Sequence, residues 1–295
     1  MHLPERLRAV LHSRALLVVG VLVSIVVPAV TLPRLPSVTL WPLLLGLLPW
    51  VVGKYLLCPL RWQAITGPGP TRGWFVRTYA ESELLGLLTP GHVGADVWRV
   101  TSLCRTGLSK ADSVLSVGLD RLVGALGLMA FVVFAGPSLP ARYLLIALGV
   151  ALAVVAGALV VRRLRPGLLP RRALPPPKAL ALGLLLSAGY QLSIAALLWG
   201  SVAATGNSLT PLALLGAFGA SQLAGVLPGP NGASPRDGAL VAALAALGVP
   251  WAAAAAAVTL KAAVAWLPAL LLGGASLVLT RRALRAAAAP VPVPA

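Results

Sequence analysis

Hydrophobic residues in this chain gather into long blocks, separated by short turns rich in arginine, lysine, glycine and proline. Six blocks have the length of a bilayer crossing: Ala15–Leu32, Trp41–Leu60, Val114–Gly136, Tyr143–Val161, Ala179–Ala204 and Trp251–Leu279. A helix needs about 20 apolar residues for that. Two blocks fall short, Trp74–Thr89 and Pro211–Leu227, and each ends in a proline–glycine turn. A second short run follows each, Gly94–Leu108 and Gly238–Leu247. A helix that enters, breaks and returns is a re-entrant hairpin. The pattern therefore predicts an all-α polytopic membrane protein with six crossings and two re-entrant helical hairpins. Trp41 and Trp62 are placed like interfacial anchors of the second crossing.

The breaks have a chemical cause. Proline removes a backbone donor and glycine removes the side chain, so Pro90, Gly91 and Gly94 interrupt the first hairpin. Pro228, Gly229, Pro230 and Gly232 do the same in the second. Both turns read Pro-Gly-x-x-Gly-Ala, from Pro90 and from Pro228, an offset of 228 − 90 = 138 residues. Shifted by that offset, Trp41–Leu60 falls on Ala179–Leu198, and Val114–Gly136 falls on Ala252–Gly274. The chain reads as an internal duplication, one transmembrane domain over 1–285 with halves of roughly 1–142 and 143–285. Each half holds an odd number of crossings, so the second copy is expected upside down relative to the first. Paired interruptions in inverted repeats point to a binding site near the bilayer midplane.

Charge refines the orientation. Lys+Arg number 24 against 7 Asp+Glu, a formal net charge of +17, yet charged residues are only 11% of the chain and hydrophobic ones 58%. Mean hydropathy is +0.91. A basic surplus can serve nucleic acid, but here it sits in loops between apolar blocks, as cytoplasmic loops do. No nucleic-acid partner is expected. The basic clusters lie at the N-terminus, at Arg61–Lys110, at Arg162–Lys178 and at the C-terminus. This places both termini on the cytoplasmic face of a plasma membrane. Met1–Arg14 resembles the basic start of a signal peptide, but no small-x-small cleavage site follows, so a retained signal-anchor is expected. The Ala/Pro/Val tail 286–295 is expected to be disordered. Cys58 and Cys104 form no metal or disulfide pattern and read as packing residues.

Charges inside apolar blocks are the candidate chemistry, because they are costly in lipid. Asp96 and Arg99 stand i, i+3 on one helix face, where an internal ion pair and ligand contact are both open. Arg99 and Arg236 are the candidate phosphate binders, since a guanidinium fork matches phosphate oxygens. Helix N-termini near Gly94 and Gly238 add positive potential. Asp120 and Arg121 are sequence neighbours, so one is expected to meet the hairpin and the other a headgroup. Arg236-Asp237 and Lys261 are the second-half counterparts of these charges, with their mutual pairing the plainer reading. Glu81 and Glu83 either line the cavity or face headgroups. His92 reads as a turn residue, with no metal site, as no partner stands at ligand spacing.

The same stretches carry a resemblance. Leu88 to Arg99, Leu-Thr-Pro-Gly-His-Val-Gly-Ala-Asp-Val-Trp-Arg, resembles the P-G-x-x-G-G-D-x-x-R signature of the lysylphosphatidylglycerol synthase transmembrane-region (flippase-like) family. Gly118-Leu-Asp120-Arg121-Leu-Val-Gly124 is similar to that family's D/E-R-x-x-G element. The run from Leu227 through Arg236-Asp237 to Gly248-Val249-Pro250 resembles its second signature. Ala95, Asn231, Ser234, Asp237 and Lys261 depart from the family pattern. The resemblance implies translocation of a phospholipid or polyprenyl-phosphate-linked headgroup. It also leaves open a non-transporting partner of a lipid-modifying enzyme or glycosyltransferase. An ion-coupled small-solute carrier, with Glu81, Glu83, Asp96 and Asp237 as coupling carboxylates, is the third class. No cofactor is expected. Enzymatic activity is not expected either, since no nucleophile–base set is apparent. The family's lipid-lysylating members carry a cytosolic catalytic domain that this sequence lacks, so aminoacyl transfer is not expected.

Overall fold

The computed structural model describes residues 38–87, 89, 92–135, 160, 163, 175–223 and 235–287, and every regular element among them is helical. Helix α1 (Leu40–Val52) runs through one π turn (Gly53–Leu57) into α2 (Cys58–Thr66). The rod Leu40–Thr66 is 27 residues long, about 40 Å at 1.5 Å per residue. One side buries Leu43, Gly46 and Trp50. The other exposes Leu44, Leu45, Leu48, Val52 and Leu56, a face suited to lipid. Pro49 precedes the π turn, and its missing N–H removes a helical hydrogen bond there.

Helix α3 (Arg72–Leu87) and α4 (Val93–Arg105) pack together as a hairpin. At 16 and 13 residues they are about 24 and 20 Å long, short of the ~30 Å apolar core. His92 closes the turn with φ of 60°. Thr89 fastens it: its hydroxyl donates to Leu85 O at 3.1 Å and accepts from Gly94 N at 2.8 Å. That satisfies one of the orphan donors at the start of α4. Helix α5 (Lys110–Ala135) begins earlier than the apolar pattern suggested. Ser109 caps it, accepting from Asp112 N at 3.1 Å while its hydroxyl donates to Asp112 Oδ2 at 2.7 Å.

The rest of the described chain is helical too. Helix α6 (Pro177–Ala204) is followed by α7 (Pro211–Leu223) and α8 (Pro235–Ala246), which pack as a second hairpin. Helix α9 (Trp251–Pro268) passes through another π turn (Ala269–Gly273) into α10 (Gly274–Ala287). Pro235 rather than Gly238 starts α8, because proline suits the first helical position and Asp237 the first turn. Leu40–Thr66, Pro177–Ala204 and Trp251–Thr280 are each long and apolar enough to cross a membrane. The expected spans Ala15–Leu32 and, apart from Val160, Tyr143–Val161 lie outside the described residues, as do Pro90, Gly91 and the Pro228–Gly232 turn. Of the tail 286–295 expected to be disordered, residues 286 and 287 continue helix α10, and 288–295 lie outside the described residues.

The α1–α2 rod and α6 lie antiparallel and form the most extensive interface of the fold. Thr39 N donates to Ala204 O at 2.9 Å near one end, and Arg61 Nη1 donates to Ser187 Oγ at 3.3 Å near the other. Glycines allow the approach: a Cβ on Gly46 would collide with Ala196 O, and one on Gly200 with Pro42 O. Each hairpin leans on the opposite half. Helix α3 packs on the π turn at Ala269–Gly273, and α7 packs on α5. A buried cluster of Cys58, Trp62, Phe75, Tyr79, Leu103 and Val117 then seals α2, α3, α4 and α5 around the first hairpin.

Candidate functional site

Three helices bring opposite charges together beneath that seal. Asp96 and Arg99 lie one helical turn apart on α4, and Arg99 Nη2 donates to Asp96 Oδ1 at 2.7 Å. Arg99 Nη1 donates to Asp120 Oδ2 of α5 at 2.9 Å. Arg61 of α2 grips the same carboxylate, with Nε at 2.8 Å from Oδ1 and Nη2 at 3.3 Å from Oδ2. Arg121 returns from α5 to Asp96 Oδ1, with Nε at 3.1 Å and Nη2 at 3.0 Å. The charges thus run Arg61–Asp120–Arg99–Asp96–Arg121, three cations for two carboxylates.

Burial is graded along this chain. Asp120 and Arg99 have side-chain exposures of 0% and 1%, whereas Asp96 and Arg121 reach 36% and 47%. Buried charges persist only when paired and hydrogen-bonded, which explains why Asp120 holds two guanidinium groups. Arg99 is also flanked by the rings of Trp62 and Tyr79, at 5.4 and 5.2 Å. Its Nε is buried without a hydrogen-bond partner. Gly124 leaves room for Arg61, since a Cβ there would stand 3.1 Å from Arg61 Nη1. That gives the Asp120-Arg121-x-x-Gly124 spacing a steric purpose. Both Asp120 and Arg121 meet the hairpin, where the sequence predicts contact for one of them.

Other candidates fall elsewhere. Glu83 is buried and sits 2.9 Å from Lys54 Nζ, with His92 Nε2 at 3.5 Å. Lys54 stands in the π turn, against the rings of Tyr79 and Tyr190. Glu81 is buried on the other side of α3 and lines a half-open cleft of about 620 Å³ with Arg77, Trp98, Arg105 and Thr280. In the second half, Lys261 Nζ lies 3.6 Å from Asp237 Oδ1, tying α9 to α8. This mirrors the Arg121–Asp96 tie between α5 and α4. Arg236 Nε is buried without a hydrogen-bond partner. Arg99 and Arg236 do not line the Glu81 cleft together; neither is among its walls. No group of three or more His, Cys, Asp or Glu able to hold a metal occurs among the described residues.

Sequence reasoning missed Arg61 and Lys54. In the sequence Arg61 reads as the start of the basic loop that follows, yet it is buried about one helical turn before the rod ends. Lys54 is the one charge within the apolar block Trp41–Leu60. A lone cation there calls for a carboxylate partner, and that is the signal in the sequence that points to the Lys54–Glu83 pair.

The family model of the lysylphosphatidylglycerol synthase TM region matches residues 14–273. The chain belongs to that family. Within this lysylphosphatidylglycerol synthase TM region, the Asp96–Arg99 and Asp120–Arg121 motifs are the parts that interlock across α4 and α5. The family assignment makes the protein a membrane domain of the kind associated with lipid chemistry. No curated protein matches the chain.

Proposed function

We propose that the protein translocates a lipid with a phosphate-bearing, anionic headgroup between leaflets, and that the phosphate exchanges with Asp96 on the Arg99–Arg121 side of the ion chain. One observation carries this reading: Asp96 is the partly exposed carboxylate shared by two guanidinium groups, in a chain with one cation in excess. Phosphate accepts the same forked hydrogen bonds as a carboxylate. Its arrival leaves the buried Arg61–Asp120–Arg99 segment intact, so no unpaired charge is created deep in the fold.

The architecture supports the reading. Shifted by 138 residues, Leu40–Thr66 falls on 178–204 and Arg72–Leu87 on 210–225, close to α6 and α7. The α1–α2 rod packs antiparallel to its counterpart α6, as expected of repeats related by a two-fold axis in the membrane plane. On this reading the hairpins are re-entrant, the repeat is inverted, and both termini lie in the cytoplasm. The non-transporting partner reading draws on the depth of Arg99, which is held by two carboxylates and two rings.

Reconstitution separates the two. In proteoliposomes, Arg99→Lys keeps the charge but loses the fork, so headgroup selectivity falls while protein accumulation holds. Asp96→Asn removes the competitor and changes the transport rate. If the parent protein moves no phospholipid, the partner reading replaces this one.

A further inference from the structure

Glu81 is the exception to the pairing found around it. The residue is 3% exposed, yet no cation lies within the 4.0 Å ion-pair distance of its carboxylate among the described residues. Its hydrogen bonds all come from neutral donors. Oε1 accepts from Ser276 Oγ at 2.9 Å and Thr280 Oγ1 at 2.6 Å, and Oε2 accepts from Trp98 Nε1 at 3.1 Å. Arg77 reaches it only at one remove, donating to Thr280 Oγ1 at 3.4 Å. Buried carboxylates are ordinarily matched by a cation or a proton. Trp98, Ser276 and Thr280 all aim hydrogens at its two oxygens and no positive charge stands beside them, so the partner the site lacks is a cation.

The carboxylate faces a cleft of about 620 Å³ between α3, α4 and α10, with Trp74, Trp98 and Ser102 in its wall. Arg77 and Arg105, both exposed, stand at its mouth. The order of charges is therefore one buried carboxylate inside and two guanidinium groups outside. We propose that this cleft binds a zwitterionic phospholipid headgroup bearing a primary ammonium, of the ethanolamine-phosphate class, with the ammonium on Glu81 and the phosphate between Arg77 and Arg105. The site is separate from the Arg99 ion chain, and the inference does not rest on translocation.

Two features select a primary ammonium over a quaternary one. Oε2 carries one hydrogen bond from Trp98 and keeps a second acceptor position, which an N–H can fill and a trimethylammonium cannot. The face of Trp98 is already covered by the Arg105 guanidinium at 5.4 Å, so it offers no aromatic cage for choline. The lipid source follows from the setting. Thr280, the last residue of Trp251–Thr280, lies in the cleft wall, and that helix is apolar enough to span a membrane, so a headgroup held here sits at the end of an apolar rod that acyl chains can follow.

The test is equilibrium binding of short-chain phospholipids to the purified full chain in detergent. Dihexanoyl phosphatidylethanolamine should bind at least about tenfold tighter than the choline or glycerol analogue of the same chain length, the scale of a buried charge-assisted contact. Glu81→Gln should erase that preference. Arg105→Gln, an exposed change at the mouth, should weaken all phosphate-bearing ligands alike and leave the headgroup order unchanged. Equal affinity of the parent for the three lipids overturns the proposal whether or not Glu81→Gln folds. Binding of free ethanolamine phosphate as tight as that of the lipid overturns the lipid assignment. Transport assays play no part in this result, so failure here leaves the translocation reading to be judged by its own experiment.

Discussion

Arg99 of α4 and Asp120 of α5 meet at 2.9 Å with side-chain exposures of 1% and 0%. The contact joins the returning arm of the first hairpin to a long helix, and Arg61 brings in a third element through the same carboxylate. Removing one member of such a group leaves the others charged and unpaired in an apolar setting. Asp120→Asn should therefore lower unfolding stability by about 3–5 kcal/mol, because two guanidinium groups lose their anion. Asp96→Asn, at a 36% exposed side chain, should cost clearly less. Thermal unfolding of the two variants in detergent checks the order. Equal losses would mean that burial does not grade the ion chain.

The Lys54–Glu83 pair gives an independent check on buried charge. Glu83→Gln strands the Lys54 ammonium, at 2.9 Å in the parent, among Tyr79 and Tyr190. A double change, Lys54→Met with Glu83→Leu, should recover most of the lost stability, since apolar replacements of buried ion pairs are often neutral or better. A double variant no more stable than Glu83→Gln alone would contradict this pairing.

Close helix packing makes a steric prediction. Gly46→Ala and Gly200→Ala each place a Cβ against a backbone carbonyl of the facing helix, which cannot swing aside as a side chain can. Each should destabilise by about 1–3 kcal/mol, the usual cost of overpacking. Gly73→Ala meets nothing within 4 Å and serves as the control. Unfolding midpoints that do not separate the first two from the third would refute the α1–α6 contact.

Topology is testable by labelling. Single cysteines at Lys178, in the first turn of α6, and Arg282, within α10, should both react with a membrane-impermeant reagent from the cytoplasmic side. Reaction from opposite sides would contradict the inverted arrangement.

Much of this was readable in the chain, and the parts that were not share a reason. Hydrophobic block lengths and proline–glycine breaks anticipated α3, α4, α7 and α8, because those signals act within a few residues. The i, i+3 spacing of Asp96 and Arg99 likewise marked one helix face. The helices begin at Lys110 and Pro235, ahead of the apolar runs from Val114 and Gly238, because polar first turns precede the first apolar residue. The Ser109–Asp112 cap was present in the sequence all the same. Partners across helices were not readable: nothing local tells Arg61 that its carboxylate lies 59 residues away. The fate of Glu81 and Glu83 was equally hidden. They sit two apart on α3, and only the packing of α10 on one side and the π turn on the other separates a solitary carboxylate from a paired one.

The central claim is that phosphate enters by replacing Asp96 between Arg99 and Arg121. Its most direct test is the initial rate at which proteoliposomes move a fluorescent anionic phospholipid across leaflets, compared among parent, Arg121→Gln and Arg99→Ala. Arg121 is 47% exposed, so Arg121→Gln should unfold at nearly the parental temperature. Its transport rate should nevertheless fall at least about tenfold, the loss expected for one charge-assisted fork. Arg99→Ala should abolish movement. Parental rates in both variants would contradict the account and return these charges to a purely structural role.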